Sequence, residues 1–148
     1  MKKLHQIFAG LAGAVALNLL HEGLKKTGRD MPRIDLLGEE ALNDILGTVG
    51  GHIKNEKQLY LATLAGDILS NTFYYSLIGA GGKKHIWLKA IFSGLSAGVG
   101  ATELAKPLGL DETTVARSNK TKVLTIAYYL SGALVTAAVL KAFQKNKI

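Results

Sequence analysis

The chain reads as an all-α integral membrane protein, a four-helix bundle with an amphipathic interfacial helix between spans one and two. Three observations predict this. Eighteen residues between Lys122 and Lys141, Val123 to Leu140, carry no charge. At 1.5 Å rise per residue such a run crosses a hydrocarbon core of roughly 30 Å. Three further stretches come close to the same condition. The polar residues, by contrast, are concentrated in a segment from Lys25 to Gln58 and in short connections.

The spans run from about 4 to 24, 59 to 80, 86 to 105 and 123 to 140, so residues 1–148 read as one transmembrane domain. The first begins Met1-Lys2-Lys3 like a signal peptide. The apolar run is followed by Asn18-Leu-Leu-His-Glu22 rather than a small-residue cleavage site, so it is expected to be a retained helix. Spans one and three are rich in small residues: Ala9, Gly10, Gly13 and Ala14 in one, Gly94, Ala97, Gly98 and Gly100 in the other. Lipid gives helices no hydrophobic reason to associate, so close backbone approach supplies the contact. These two spans are therefore expected to form the tight centre. They also match at an offset of 84, Ile7-Phe8-Ala9-Gly10-Leu11 against Ile91-Phe92-Ser93-Gly94-Leu95. A duplicated two-helix unit would produce this, as would convergence of glycine-rich helices.

Between spans one and two, Leu37, Ala41, Leu42, Ile45, Leu46 and Val49 recur at helical spacing, with Glu39, Glu40, Asn43 and Asp44 opposite. An amphipathic helix over about 35–49 follows, preceded by Pro32, with Asp35 as candidate N-cap and Gly47, Gly50 and Gly51 at its end. It would lie in the interface, cover the bundle mouth or dock a partner.

A net charge of +7 suits basic anchors beside anionic headgroups, so membrane lipids are the expected partners. Nucleic acid is not expected, because no basic stripe is interleaved with aromatics. With no cysteine there is neither a disulfide framework nor a thiolate metal site. His5, His21, His52 and His85 lack ligand spacing, and phosphate-cradling and nucleophile motifs are missing from the sequence, so no metal and no cofactor is expected. Basic residues divide eight against ten between the two membrane sides, Lys147 among the eight. This split orients the chain weakly, with the long loop cytoplasmic, and leaves a dual-topology homodimer open.

Ionisable groups inside spans cost roughly 2.5–3.5 kcal/mol each at a helix centre, so they face the bundle interior. Asn18, His21 and Glu22 share a face of span one at i, i+3 and i+4, and Asp67 and Asn71 share one on span two. Spans one and three emerge on the long-loop side, where spans two and four begin. Glu22 and Glu103 thus come near the level of Asp67, which lies about 12 Å deep, and of Tyr128 and Tyr129. A polar pocket formed by Asn18, His21, Glu22, Asp67, Asn71, Glu103 and Tyr128 is expected to open there, its carboxylates and imidazole titrating away from ordinary values. Membrane helices also bury Asn, Asp and His simply to bond to one another, and the same residues suit that role.

At Leu20-His21-Glu22-Gly23-Leu24 and Met31-Pro32-Arg33-Ile34-Asp35-Leu36-Leu37-Gly38 the chain resembles a group of small four-span bacterial membrane proteins. These pair His-Glu at the end of the first helix with a Pro-Arg-x-Asp segment, and no activity is attached to them. The resemblance implies a multi-pass inner-membrane protein in which Arg33 and Asp35 belong with His21 and Glu22, at the mouth of the pocket. Pairing of Arg33 with Glu22 is then feasible.

Three function classes fit the sequence. The first is a non-enzymatic bundle whose pocket takes a small solute, proton, lipid or partner. Another is a small proton- or ion-coupled transporter or channel using Asp67 or Glu103. The third is an intramembrane enzyme acting on a lipid headgroup, with His21 as base.

Overall fold

The computed structural model describes residues 1–146, and Lys147 lies outside them. All regular structure among these residues is helical: α1 (Lys3–Leu24), α2 (Ile34–Gly47), α3 (Glu56–Ser76), α4 (Ile86–Leu104), α5 (Thr113–Ala116) and α6 (Asn119–Lys145). A 3-10 turn, Leu77–Gly79, extends α3. The four long helices and α2 fall where the periodicity placed them, while the single turn α5 is additional.

Local chemistry sets the ends. Asn55 caps α3 by accepting from the Gln58 N–H at 2.9 Å, and Ser118 caps α6 by accepting from the Thr121 N–H at 3.2 Å. Pro107 follows the last turn of α4, which it cannot continue. Gly81 and Gly82, both at positive φ, make the turn that returns the chain into α4. Asp35 is not the cap of α2. Arg33 occupies that position without a side-chain cap bond, and Asp35 sits in the first turn because its carboxylate is committed to cationic partners.

The long helices pack as α3 on α1, α1 on α6 and α6 on α4. The fourth side, which would close a bundle, is bridged by the Tyr74 hydroxyl donating to the Ser93 carbonyl at 2.9 Å. This corrects the expectation that α1 and α4 form the centre; the central pair is α1 with α6. The small residues do sit at interfaces, but each faces a different neighbour. A Cβ on Gly10 would lie 2.8 Å from the Ser76 nitrogen of α3, and one on Gly94 would lie 2.7 Å from the Leu130 Cα of α6. Gly13 and Gly132 leave room for the buried Tyr75 ring, whose hydroxyl donates to the Tyr129 carbonyl at 2.8 Å.

Small hydroxyl side chains along α6 bond to their own helix. Thr125 and Thr136 each donate to the carbonyl four residues back, so these hydroxyls enter the packed interior without unmet hydrogen bonds, and the more exposed Ser131 does the same. Outward, α1, α3 and α4 present large apolar residues, Leu19 at 68%, Leu69 at 72%, Phe73 at 71% and Phe92 at 73% exposure among them. The chain exposes 8634 Å²; a compact water-soluble chain of this mass would expose roughly 7,300 Å². Two helices, α1 and α6, are long and apolar enough to cross a membrane.

α2 packs on α3 and α5. Its connection to α3 is pinned by Asn43, which accepts from the Ile53 N–H at 2.9 Å and donates to the Ile53 carbonyl at 3.3 Å. Bonds from the Arg33 N–H to the Thr114 carbonyl and from the Asp111 N–H to the Glu40 carboxylate tie the α1–α2 and α4–α6 connections together. The start of α2 is thereby held over the end of α1.

Candidate functional site

The last turn of α1 and the first turn of α2 bring five charged or titratable side chains together, with Asp35 at the centre. Arg33 donates through Nε to Asp35 Oδ1 at 2.9 Å and through Nη2 to Oδ2 at 2.8 Å. Lys25 Nζ lies 3.3 Å from Asp35 Oδ2 and 2.8 Å from Glu22 Oε2. The Lys25 ammonium also stands 4.8 Å from the centre of the Tyr60 ring, a favourable position over an aromatic face. Arg33 therefore pairs with Asp35 and not with Glu22, for which Lys25 is three residues away on the same helix face.

His21 is 3% exposed. Its Nδ1 lies 3.5 Å from Glu22 Oε1 and its Nε2 3.3 Å from Asp35 Oδ1, with no well-aligned hydrogen bond at Nε2. Both ring nitrogens thus face carboxylates. Burial alone would raise the Asp35 carboxyl, but His21 and Arg33 outweigh it and hold the group well below the usual carboxylate range. For Lys25, desolvation is overcome by Glu22 and Asp35, and its ammonium is held above the ordinary lysine value.

One turn deeper lies a second polar group. Asn18 donates through Nδ2 to Asp67 Oδ2 at 2.8 Å, and Asn71 donates to Asp67 Oδ1 at 2.9 Å. Both carboxylate oxygens of Asp67 are thus met by neutral amides from two helices, with no cation in direct contact. Between the two groups lies a small cavity of about 30 Å³, walled by α1, α2 and α3 and bordered by His21, Asp35, Tyr60, Thr63 and Asp67. That is room for roughly two waters. The buried Thr63 hydroxyl and His21 Nε2 are both without hydrogen-bond partners.

Of the residues expected in the pocket, Asn18, His21, Glu22 and Asp67 line the cavity, and Asn71 anchors Asp67 from behind. Arg33 and Asp35 lie at its α2 end, with Asp35 in the wall itself. Tyr128 stands beside the pocket: it is buried, edge-on to His21 with ring centres 6.4 Å apart, and its hydroxyl is unpartnered. Glu103 is elsewhere. Its side chain is exposed and accepts from Lys122 Nζ at 2.8 Å, because the end of α4 lies beyond α6, away from α1 and α3.

Tyr60 and Thr63 belong to the site but were not singled out from the sequence, and Lys25, which the sequence offers only as one of several basic partners for Glu22, joins them. A signal existed for each. Tyr60, Thr63, Asp67 and Asn71 follow one face of α3 at helical intervals, and Lys25 continues the stripe of Asn18, His21 and Glu22 by one turn. Among the described residues no group of three or more His, Asp or Glu has the arrangement of a metal centre. No family model matches this chain, nor does any curated protein or solved structure.

Proposed function

We propose that the chain is a multi-pass inner-membrane protein without enzymatic activity, its four long helices spanning the hydrocarbon, and that the α2-covered pocket binds and releases a proton. Support for the membrane reading comes from the outer faces of α1, α3 and α4, where large apolar side chains are exposed in a continuous run from Leu4 to Leu19 on α1 and from Trp87 to Val99 on α4. In water such patches would drive association; in lipid they need no cover.

The observation carrying the proton reading is His21, buried between two carboxylates and beside a cavity sized for water. An imidazole so placed can accept a proton at one nitrogen and pass another from the opposite one. Water in the cavity would continue the path to Asp67. A cavity of about 30 Å³ suits water and a proton better than a larger solute, and a headgroup enzyme would need its base to reach substrate, which a ring 3% exposed does not.

Proteoliposomes with an entrapped pH-sensitive dye test both parts. The protein should require amphiphile throughout purification, and an imposed potential should drive proton movement that falls at least about tenfold in Asp67→Asn and in His21→Gln while Glu103→Gln behaves as wild type. Vesicles no more permeable to protons than empty ones would sink the proton reading. A monodisperse particle in plain buffer would sink the membrane reading.

A further inference from the structure

We propose that a second cleft, between the α1–α2 loop and the α5–α6 junction, binds a phosphate group, carried by a lipid headgroup or by free phosphate. The cleft has a volume of about 130 Å³, and three arginines, Arg29, Arg33 and Arg117, line it. Their backbones come from two connections far apart in sequence. The Arg33 N–H donates to the Thr114 carbonyl at 2.7 Å, the Ser118 hydroxyl donates to Asp30 at 3.1 Å, and the Asp111 N–H donates to Glu40 at 2.9 Å. The spacing of the backbone positions that carry the arginines is thus set by the fold.

Guanidinium groups offer paired donors in one plane, which match two oxygens of a tetrahedral anion, and three of them around one space suit phosphate better than a single carboxylate. Arg33 gives two of its donors to Asp35 and keeps the rest. Among the described residues, Arg29 and Arg117 are in no ion pair. Asp111 is the one acidic residue in the wall. Its Oδ1 already accepts from the Thr113 N–H at 3.0 Å and the Thr113 hydroxyl at 2.7 Å, so it caps its own turn, and three guanidinium groups against this one carboxylate leave the wall with an excess of positive charge. Met31 and Leu36 supply an apolar border, the surface a glycerol or acyl stem would lie against. The site does not depend on the pocket taking a proton, and only its lipid form rests on the membrane reading.

The test uses the full chain in two arms. In neutral detergent, inorganic phosphate is titrated and followed by calorimetry. In nanodiscs of phosphatidylcholine doped with phosphatidylglycerol, retained lipid is read by native mass spectrometry. Wild type should bind in at least one arm, and Arg29→Gln with Arg117→Gln should weaken that binding at least about tenfold, since two forked contacts are lost. Lys83→Gln with Lys84→Gln, at the opposite end of the molecule, should leave it unchanged. Binding in the first arm alone identifies free phosphate, and phosphatidylglycerol retention alone identifies a headgroup; either supports the site. Binding in neither arm, or an equal loss in the Lys83 and Lys84 variant, overturns it. Should the glutamine pair not fold, Arg29→Lys with Arg117→Lys keeps the charge and removes the fork, and unchanged affinity there overturns the proposal as well.

Discussion

The two helical hairpins, α1 with α3 and α4 with α6, share their packing and differ in their chemistry. Gly10 and Gly94, 84 residues apart, each press against the second helix of their own hairpin. The same offset takes Ala14 to Gly98 and His21 to Ala105, and all four are buried. Beyond that the correspondence ends. Asn18, His21 and Glu22 have Thr102, Ala105 and Lys106 as counterparts, and the connection that holds α2 in the first hairpin holds only the turn α5 in the second. A hairpin of this kind therefore closes with alanine where the first one carries an imidazole. If the likeness of the hairpins is one of packing, the fold does not need the imidazole at this position, and substitution of His21 tests that.

The largest effect that tests this contrast is expected at Asp35. Removing its carboxylate leaves Arg33 and Lys25 without their shared partner, and Asp35→Ala should cost about 3 kcal/mol, read as a lowered thermal midpoint in detergent. The pH dependence carries the same signature. Because the folded-state carboxyl is held below its unfolded value, its contribution is complete above that value and is lost as pH falls. Melts should begin to lose stability below about pH 4, the ordinary Asp range. Asp35→Asn should flatten this acid limb, and an unchanged limb would mean that another group governs it.

Next in size is the packing that the hairpins share. Gly10→Val and Gly94→Val each push a side chain into the facing helix, Ser76 in one case and Leu130 in the other. Each should cost about 2 kcal/mol by overpacking. Similar losses would extend the likeness of the two halves from sequence to energetics. A loss at only one would show that the shared string is convergence.

His21→Ala asks whether the first hairpin tolerates what the second already has. Asp35 retains Arg33 and Lys25 in this variant, so a loss of only about 1–2 kcal/mol is expected, less than at Asp35. Unfolding would refute the claim that the imidazole is dispensable to the fold.

Much of this arrangement was legible beforehand, for a physical reason. Charge-free length and period 3.6 are local properties, so α1, α3, α4, α6 and α2 could be placed from residues alone. Helical geometry also puts Asn18 and His21 on one face and Asp67 and Asn71 on another. In the fold these faces border one cavity, with Asn18 rather than His21 bonded to Asp67. What could not be read was which helix neighbours which. The small residues of α1 and α4 say that something packs closely there, but not that α6 lies between them. Glu103 was misplaced because the helix that lies between α4 and the rest was invisible. Asp35 is subtler. Its spacing after Pro32 suits a cap, and only three-dimensional proximity shows that two cations and an imidazole have the stronger claim on its carboxylate.

The smallest effect separates two ion pairs of the same length. Lys25 and Glu22 approach to 2.8 Å, and so do Lys122 and Glu103. Distance alone would rate them equal. Their surroundings differ: the Lys25 side chain is 11% exposed and Glu22 32%, against 40% and 57% for the second pair. Water and ions screen the outer pair, whereas the inner one shares its cation with Asp35. Glu22→Gln should therefore cost about 1 kcal/mol, a loss that raised salt reduces only in part. Glu103→Gln should leave the thermal midpoint where it was. An equal response from both would place the first cluster in open solvent, and the difference between the hairpins would then reduce to loop length.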